Sequence, residues 1–337
     1  MSKAIGIIIN PMAGRDIRRI VADAEYITHY TKINFAKRFI LGLDSVDSYE
    51  IYIMPDNYGI SEEVVDSLRN KINSSIKYID ILVRGTVEDT IRTARIMREI
   101  GVNIIASFGG DGTLRAVFKG AGVIPIVGVP LGTNNVMSRT FLEPTVLGVV
   151  TGLALKNLDR INDFGIQLKI LKLYMNKELR DTALIDIAFI PEGWIGARAI
   201  WDITNVKYIV FSKCEPTDIG LASIGGNIHP ISFYDENGLF VEIEGENRAE
   251  GIRAIIAPGL IKKVRVRNYV IFNKNVEIPS GRYAIAFDGE RELVSQSNDR
   301  IEIQITRGGP ILIDPLKVLA ITLSKNDMLH NQANIGN

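Results

Sequence analysis

Over the first 140 residues, short runs rich in isoleucine and valine alternate with segments whose apolar residues recur every three or four positions. This alternation marks βαβ units, whose crossover helices make the strands parallel and cover both sheet faces. Strands are expected at 4–9, 50–54, 78–83, 103–108 and 125–129, and helices at 61–72 and 87–100. Thr86 is placed to cap the second helix, with Asp89 three residues on. The first part of the chain therefore reads as an α/β domain with an open, mostly parallel sheet. From about 159 to 305 the runs at 183–190, 239–243, 253–257, 264–270, 283–287 and 300–306 are separated by Gly, Asn and Pro turns, the pattern of an all-β second domain. An amphipathic stretch at 315–329 is long enough for a helix that packs back on the first domain. The expected division is 1–145 with a return at 311–337, and 159–310.

In an open parallel sheet, ligands bind beyond the carboxyl ends of the strands, so the loops there are the places to look. The loop after 103–108 is Gly109-Gly110-Asp111-Gly112-Thr113. Its glycines permit φ > 0 and close approach, so consecutive N–H groups can converge on an anion where a helix begins. Asp111 can accept a proton from an attacking hydroxyl or hold Mg²⁺ against a polyphosphate, and is the first catalytic candidate. The loop after 4–9 is Asn10-Pro11-Met12-Ala13-Gly14, followed by Arg15, Arg18 and Arg19. Asn10 can bind a phosphate or order the neighbouring loop, and Arg15 can neutralise phosphate charge; a plain Pro-Gly turn is the alternative. The third loop, Leu131-Gly132-Thr133-Asn134-Asn135, carries side chains suited to phosphate or ribose, or to capping a helix. All three belong to one crevice.

Thirty-nine basic residues balance 39 acidic ones, so no net charge draws the chain to nucleic acid or an anionic membrane, and a small-molecule partner fits better. The single cysteine, Cys214, excludes an internal disulfide and a thiolate zinc site, in keeping with a reducing cytoplasm. Residues 1–3 run straight into the first strand with no room for a signal peptide, and the apolar stretch 146–155 is about half a membrane span. His29, His229 and His330 lack ligand spacing, and Trp194 and Trp201 read as packing residues. Neither a P-loop nor a Gly-x-Gly-x-x-Gly dinucleotide fingerprint is present, which disfavours hydride transfer.

The Gly-Gly-Asp-Gly-Thr loop, with Asn10-Pro11-x-Ala13-Gly14 and Pro130-x-Gly132-Thr133-x-Asn135, resembles the superfamily of NAD kinases, diacylglycerol kinases and sphingosine kinases. The longer likeness is to the branch of ATP-NAD kinases that includes acetoin catabolism protein X. It rests on Glu88-Asp89-Thr90, Gly196-Ala197-Arg198-Ala199-Ile200-Trp201-Asp202, Ile219-Gly220-Leu221-Ala222-Ser223-Ile224-Gly225-Gly226, Ala257-Pro258-Gly259 and Phe287-Asp288-Gly289-Glu290. The resemblance implies that Gly109, Gly110, Gly112 and Thr113 line a phosphate site, and that Asp111 is the catalytic base or a metal-linked carboxylate. It also implies that Asp288 and Glu290 return to the site from the β domain, with ATP and Mg²⁺ as cofactors. The Asn-Glu pair with which NAD kinases hold their nucleotide has its nearest match in Ile185-Asp186, without the Asn. The Gly-Ser-Thr-rich NAD segment is replaced by Ala222-Ser223-Ile224-Gly225-Gly226-Asn227.

Two candidates also have a reading from residue chemistry alone. Arg198 can be an anion ligand or an ion-pair partner of Asp202, and Phe287-Asp288-Gly289-Glu290 a shared metal or hydroxyl site or a hairpin turn. The function expected is transfer of the ATP γ-phosphate, with Mg²⁺ through Asp111 or Asp288, to a hydroxyl in an interdomain cleft. NAD leads as acceptor, and Asp186, Arg198, Ser223, Gly225, Asp288 and Glu290 are the candidate substrate residues. A lipid-like, polyol or acetoin-related acceptor is the first alternative, and a nucleotide-binding regulator without turnover the second. By analogy with the superfamily, the chain is expected to form a homo-oligomer.

Overall fold

The computed structural model describes residues 3–138, 142–191, 200–246 and 250–323. Arg198, Gly196, Trp194 and His330 lie outside these residues, as does the expected helix beyond 323. Helical residues 315–323 account for the described part of that element.

Five strands alternate with helices through the first half: β1 (Ala4–Ile9), β2 (Glu50–Ile53), β3 (Ser75–Tyr78), β4 (Ile104–Gly109) and β5 (Ile126–Pro130). The helices are α1 (Arg18–Val21), α2 (His29–Asp44), α3 (Ile60–Leu68), α4 (Val87–Ile100), α5 (Asp111–Ala121) and α6 (Pro144–Lys156), with a short α7 (Ala222–Gly226) later in the chain. The strands are parallel in the order β3-β2-β1-β4-β5. Strand order therefore reverses between β1 and β4, where the two crossovers leave on opposite faces and open a crevice at the carboxyl ends.

The remaining strands are β6 (Gly165–Met175), β7 (Glu178–Ala183), β8 (Asp186–Pro191), β9 (Tyr208–Phe211), β10 (Gly238–Glu246), β11 (Ile252–Ala257), β12 (Leu260–Phe272), β13 (Asn275–Ile278), β14 (Tyr283–Phe287), β15 (Glu290–Val294) and β16 (Ile301–Ile313). Seven of them form an antiparallel sheet in the order β11-β12-β10-β9-β8-β14-β15. The other four extend the first sheet. β16 lies parallel to β5 through Leu312 and Ile126 and antiparallel to β6, with β7 beyond and β13 paired to β16. The sheets thus cut across the expected division, since β6, β7 and β13 fall within 159–310 yet belong to the nine-stranded sheet.

The apolar alternation shows why. On β6, Leu171, Leu173 and Met175 turn one face toward Ile187, Phe189 and Val210 of the second sheet, so the extension forms a buried layer under it. On the other side, Ala36, Phe39, Ile40 and Leu43 of α2 pack with Leu147, Val150 and Ala154 of α6 over β1 and β4.

One strand expectation needs correction. The third strand is 75–78 rather than 78–83, because β2 stops at Ile53 and offers partners only from Glu50 onward. As an edge strand with three of four residues exposed, β3 has no apolar run to announce it. The stretch 146–155 is a packed helix, α6, and no helix among the described residues is long and apolar enough to cross a membrane.

Candidate active site

A cleft of about 570 Å³ opens at the β1/β4 switch point and is closed on its far side by the start of β8 and the β14–β15 turn. That volume is in the range of small-molecule sites. Its floor is the start of α5. Asp111 is the first residue of that helix, and its carboxylate accepts from the N–H groups of Met137 and Val136, both at 2.9 Å. Burial pushes its pKa up to about 7, and the nearby Asp288 adds to the rise against the lowering effect of those two amides.

The glycines of this loop serve close approach and not, as expected, a left-handed backbone. Gly109, Gly110 and Gly112 are absent from the positive-φ residues. A Cβ on Gly132 would lie 2.4 Å from the Cα of Gly110, so the second and third loops touch backbone to backbone. Gly109 ends β4 behind the cleft, where its missing Cβ makes room for Thr113.

Asn10 reaches across from the first loop, donating through Nδ2 to the Thr113 hydroxyl at 2.9 Å and accepting from the Met12 N–H at 2.8 Å. It orders the neighbouring loop, one of the two roles its position allowed. Pro11, Gly14 and Arg15 line the same wall. Gly14 has φ +68°, which suits glycine, and Arg15 stands 5.3 Å from the Tyr26 ring centroid with its Nε buried and unpartnered.

Two groups here escaped the sequence reading. Lys32, wholly buried on α2, donates to the Pro11 carbonyl; burial and the charge of Arg15 push its pKa down to about 8. Asp16 pairs with Arg18 at 2.6 Å and accepts from the Thr133 hydroxyl at 2.9 Å, tying the first loop to the third. Burial would raise the Asp16 carboxyl, but Arg18 holds it below the usual range. Lys32 had no local signal, because it belongs to the site only through the packing of α2.

In the third loop, Gly132, Thr133 and Asn134 line the cleft, whereas Asn135 turns back on its own loop. Its amide accepts from the Gly132 N–H at 3.1 Å and donates to the Gly132 carbonyl at 2.9 Å, a staple rather than a ligand contact.

From the second sheet come Asp186, Asp288 and Glu290. Asp288 and Gly289 have φ +48° and +81° and form the turn between β14 and β15, so the hairpin reading holds and brings Asp288 to the cleft. The Asp288 carboxylate accepts from the N–H groups of Leu184, Ile185 and Asp186 at 2.7–3.2 Å. Burial nevertheless leaves its pKa raised. Asp186 is pushed up harder, by burial and by Asp288 and Asp111, and its Oδ1 is buried without a partner. Glu290 lies over Gly112, where a Cβ would be 3.4 Å from its Oε1.

Arg115, one helical turn beyond Asp111, joins the two halves. It bonds Glu292 at 2.6 Å, Asp181 at 2.9 Å and the Thr182 carbonyl at 2.8 Å, and stands over the Phe287 ring. It was not singled out from sequence, since its partners are 66 to 177 residues away.

Ser223 and Gly225 are not at the cleft. Ser223 is fully buried, its hydroxyl accepting from the Ile255 N–H at 2.9 Å, and a Cβ on Gly225 would meet the Cys214 Sγ at 2.8 Å. Both hold α7 on the second sheet, so they are corrected from substrate contacts to packing positions. No group of three or more Asp, Glu, His or Cys among the described residues could hold a metal ion. Both oxygens of Asp111 and of Asp288 are engaged by backbone amides.

Residues 5–148 match the ATP-NAD kinase N-terminal domain, and 169–308 the acetoin catabolism protein X C-terminal domain. An acetoin catabolism protein X from Cupriavidus necator is 32% identical over 325 residues, covering 90% of this chain and 88% of that protein. An NAD kinase from Archaeoglobus fulgidus, solved in complex with ATP, aligns with a TM-score of 0.41 and 14% identity over 81% of this chain and 96% of its own. An NAD kinase-like α/β domain, a domain of antiparallel strands and this extent of identity together place the chain in the acetoin catabolism protein X family.

Proposed function

We propose that the protein is an ATP-dependent phosphotransferase that phosphorylates a hydroxyl of a small molecule, with NAD the leading acceptor. The observation that carries this reading is Asp111, a buried carboxyl with a pKa of about 7 at the first turn of α5, on the floor of the cleft. A base with that pKa is half ionised at neutral pH, the condition under which proton removal from a hydroxyl is both available and effective. Each Asp111 oxygen gives one lone pair to an amide and keeps another for the acceptor.

The other residues divide the work. The N-terminus of α5 favours negative charge beside Asp111, and Arg15 and the Lys32 ammonium behind Pro11 favour it along the first loop. Asp186 lines the cleft on the side of the second sheet, where the acceptor would lie. Among the described residues no group of three or more acidic, His or Cys side chains forms a metal cage, so Mg²⁺ would be held chiefly by the polyphosphate, with Glu290 among the cleft carboxylates that would complete its ligands. The metal would supply charge neutralisation at the transferring phosphoryl group.

A second reading keeps the chemistry and changes the acceptor to a lipid-like, polyol or acetoin-related hydroxyl. It is favoured by the Ile185-Asp186 pair, which lacks the Asn of NAD kinases, and by the name of the Cupriavidus relative. The test is ADP formation from ATP and Mg²⁺ across NAD, NADH, diacylglycerol, sphingoid bases, polyols and acetoin-like compounds. Asp111→Asn should lower kcat by ~10²–10⁴ with the fold intact. NADP among the products supports the first reading, and turnover with another acceptor the second. ATP binding without turnover against any acceptor would make the protein a nucleotide-binding regulator.

A further inference from the structure

Asp288 and Glu290 reach the cleft from the second sheet and Asp111 from the first half of the chain, so their separation depends on how the two are joined. Arg115 makes that joint. It follows Asp111 by one turn of α5, about 6 Å along the axis, so the two residues move as one rigid unit. Its side chain is 3% exposed and does not line the cleft.

Every N–H of the Arg115 guanidinium has an acceptor, which leaves none for a ligand. Nε donates to the Thr182 carbonyl at 2.8 Å. One terminal nitrogen donates to Glu292 Oε1 at 3.0 Å and, at 3.4 Å, to the Phe287 carbonyl. The other donates to Glu292 Oε2 at 2.6 Å and to Asp181 Oδ2 at 2.9 Å.

These acceptors flank Asp288 on both sides. Phe287 is the residue before it, and Glu292 stands on β15 just beyond Glu290. Thr182 is on β7, immediately ahead of the segment Leu184-Ile185-Asp186 whose N–H groups hold the Asp288 carboxylate. Asp288 has φ +48°, a conformation that a residue other than glycine keeps only where its surroundings hold it. The helix and the hairpin already touch, since a Cβ on Gly112 would be 3.4 Å from Glu290 Oε1.

We propose that Arg115 is a positioning residue, which carries the placement of α5 to Asp288 and Glu290 and so fixes the width of the cleft opposite Asp111. The role belongs to arginine and not to any cation. A lysine would keep a charge beside Glu292 and Asp181, but one compact ammonium cannot also hold the Thr182 and Phe287 carbonyls. Lys119 marks the difference: it pairs with Asp181 at 2.9 Å, and among the described residues its bonds go to Asp181 alone. The effect on turnover rests on the phosphotransferase reading, whereas the placement of Asp288 does not.

The test compares the full wild-type chain with Arg115→Lys, Glu292→Gln and Lys119→Met. The backbone amide NMR signals of Leu184, Ile185 and Asp186 report where Asp288 lies, and ADP formation and ATP titration report the cleft. Arg115→Lys should shift the three amides, Glu292→Gln should shift them less, and Lys119→Met should leave them near their wild-type positions. With an acceptor that wild type turns over, kcat of Arg115→Lys should fall about a hundredfold, the cost of a misplacement of about 1 Å, while the Kd for ATP stays within about threefold. A loss of stability alone would leave the kcat of the folded protein unchanged. Amides that shift in Arg115→Lys no more than in Lys119→Met would overturn the proposal, as would a kcat within about twofold of wild type. If wild type turns over no acceptor, the phosphotransferase reading fails and the amide signals alone decide the role of Arg115. Glu292→Gln carries the same comparison should Arg115→Lys not fold, and unshifted amides in that variant would then overturn the proposal.

Discussion

Ionising Asp111 in the folded chain should be costly, and the cost can be measured without knowing the reaction. Its carboxyl titrates at 3.8 when free and at about 7 in place. At about 1.4 kcal/mol per pH unit, the ionised form is disfavoured by the fold by about 4 kcal/mol. The sign follows from proton counting. Between these pH values the folded state holds a proton that the unfolded state has lost, so stability is greatest below 3.8 and falls as pH rises toward 7. About 3 kcal/mol of the loss lies between pH 5 and 8.

Asp111→Asn keeps the shape and removes the titration. Urea unfolding at fixed pH across this range, followed by far-UV circular dichroism, should show wild type losing stability with pH and the variant staying much flatter. The asparagine presents an NH₂ group to one of the two amides, so it should begin less stable at pH 5 by ~1–3 kcal/mol. The two stability curves should therefore converge or cross as pH rises. Because Asp111 also raises Asp186, removing it should flatten the profile a little further. Parallel curves for the two proteins would refute the argument that burial controls this carboxyl.

Gly132→Ala should destabilise the chain by ~1–3 kcal/mol and abolish ATP binding, because its Cβ meets backbone at 2.4 Å, whereas Gly112→Ala meets only the end of Glu290 at 3.4 Å and should fold normally; urea unfolding and ATP titration calorimetry distinguish them. Arg115→Ala strips the cation from Glu292 and leaves Asp181 to Lys119 alone, and should cost ~2–4 kcal/mol in urea, with Arg115→Met recovering part of the loss by packing on Phe287. Ser223→Ala should cost ~1–3 kcal/mol through the orphaned Ile255 N–H yet leave kcat/KM within about twofold, and a large loss of activity in a stable variant would return Ser223 to the substrate site.

What the sequence revealed divides by the range of the interactions involved. β1 and α4 are found at their expected limits because their signals are local: an unbroken apolar run in one, and the Thr86–Asp89 capping box in the other. α2 also carried a signal, with Ala36, Phe39, Ile40 and Leu43 at helical spacing after the Thr28 cap, but no motif drew attention to it. Loop placement was legible from Gly-Gly-Asp-Gly-Thr and its neighbours, since topology alone carries them to the switch point.

The partition of the sheets was not legible, because nothing local in β6 or β16 tells whether an alternating strand completes its own sheet or another. Lys32, Arg115 and the Asp16–Thr133 bond were invisible for the same reason, each being defined by a partner that only the folded chain supplies. Ser223 and Gly225 show the converse error, in which a conspicuous small-residue string serves α7 packing.

The return of β16 also sets a timetable for synthesis. β5 emerges from the ribosome with its neighbour still about 180 residues away, since Ile126 pairs with Leu312. Until then the nascent α/β half must wait with one strand edge unpaired and its β6–β7 extension unable to dock, the state most open to wrong pairing with another chain. Release of a stop-shortened chain ending before residue 301 should therefore yield aggregate rather than an independent α/β half.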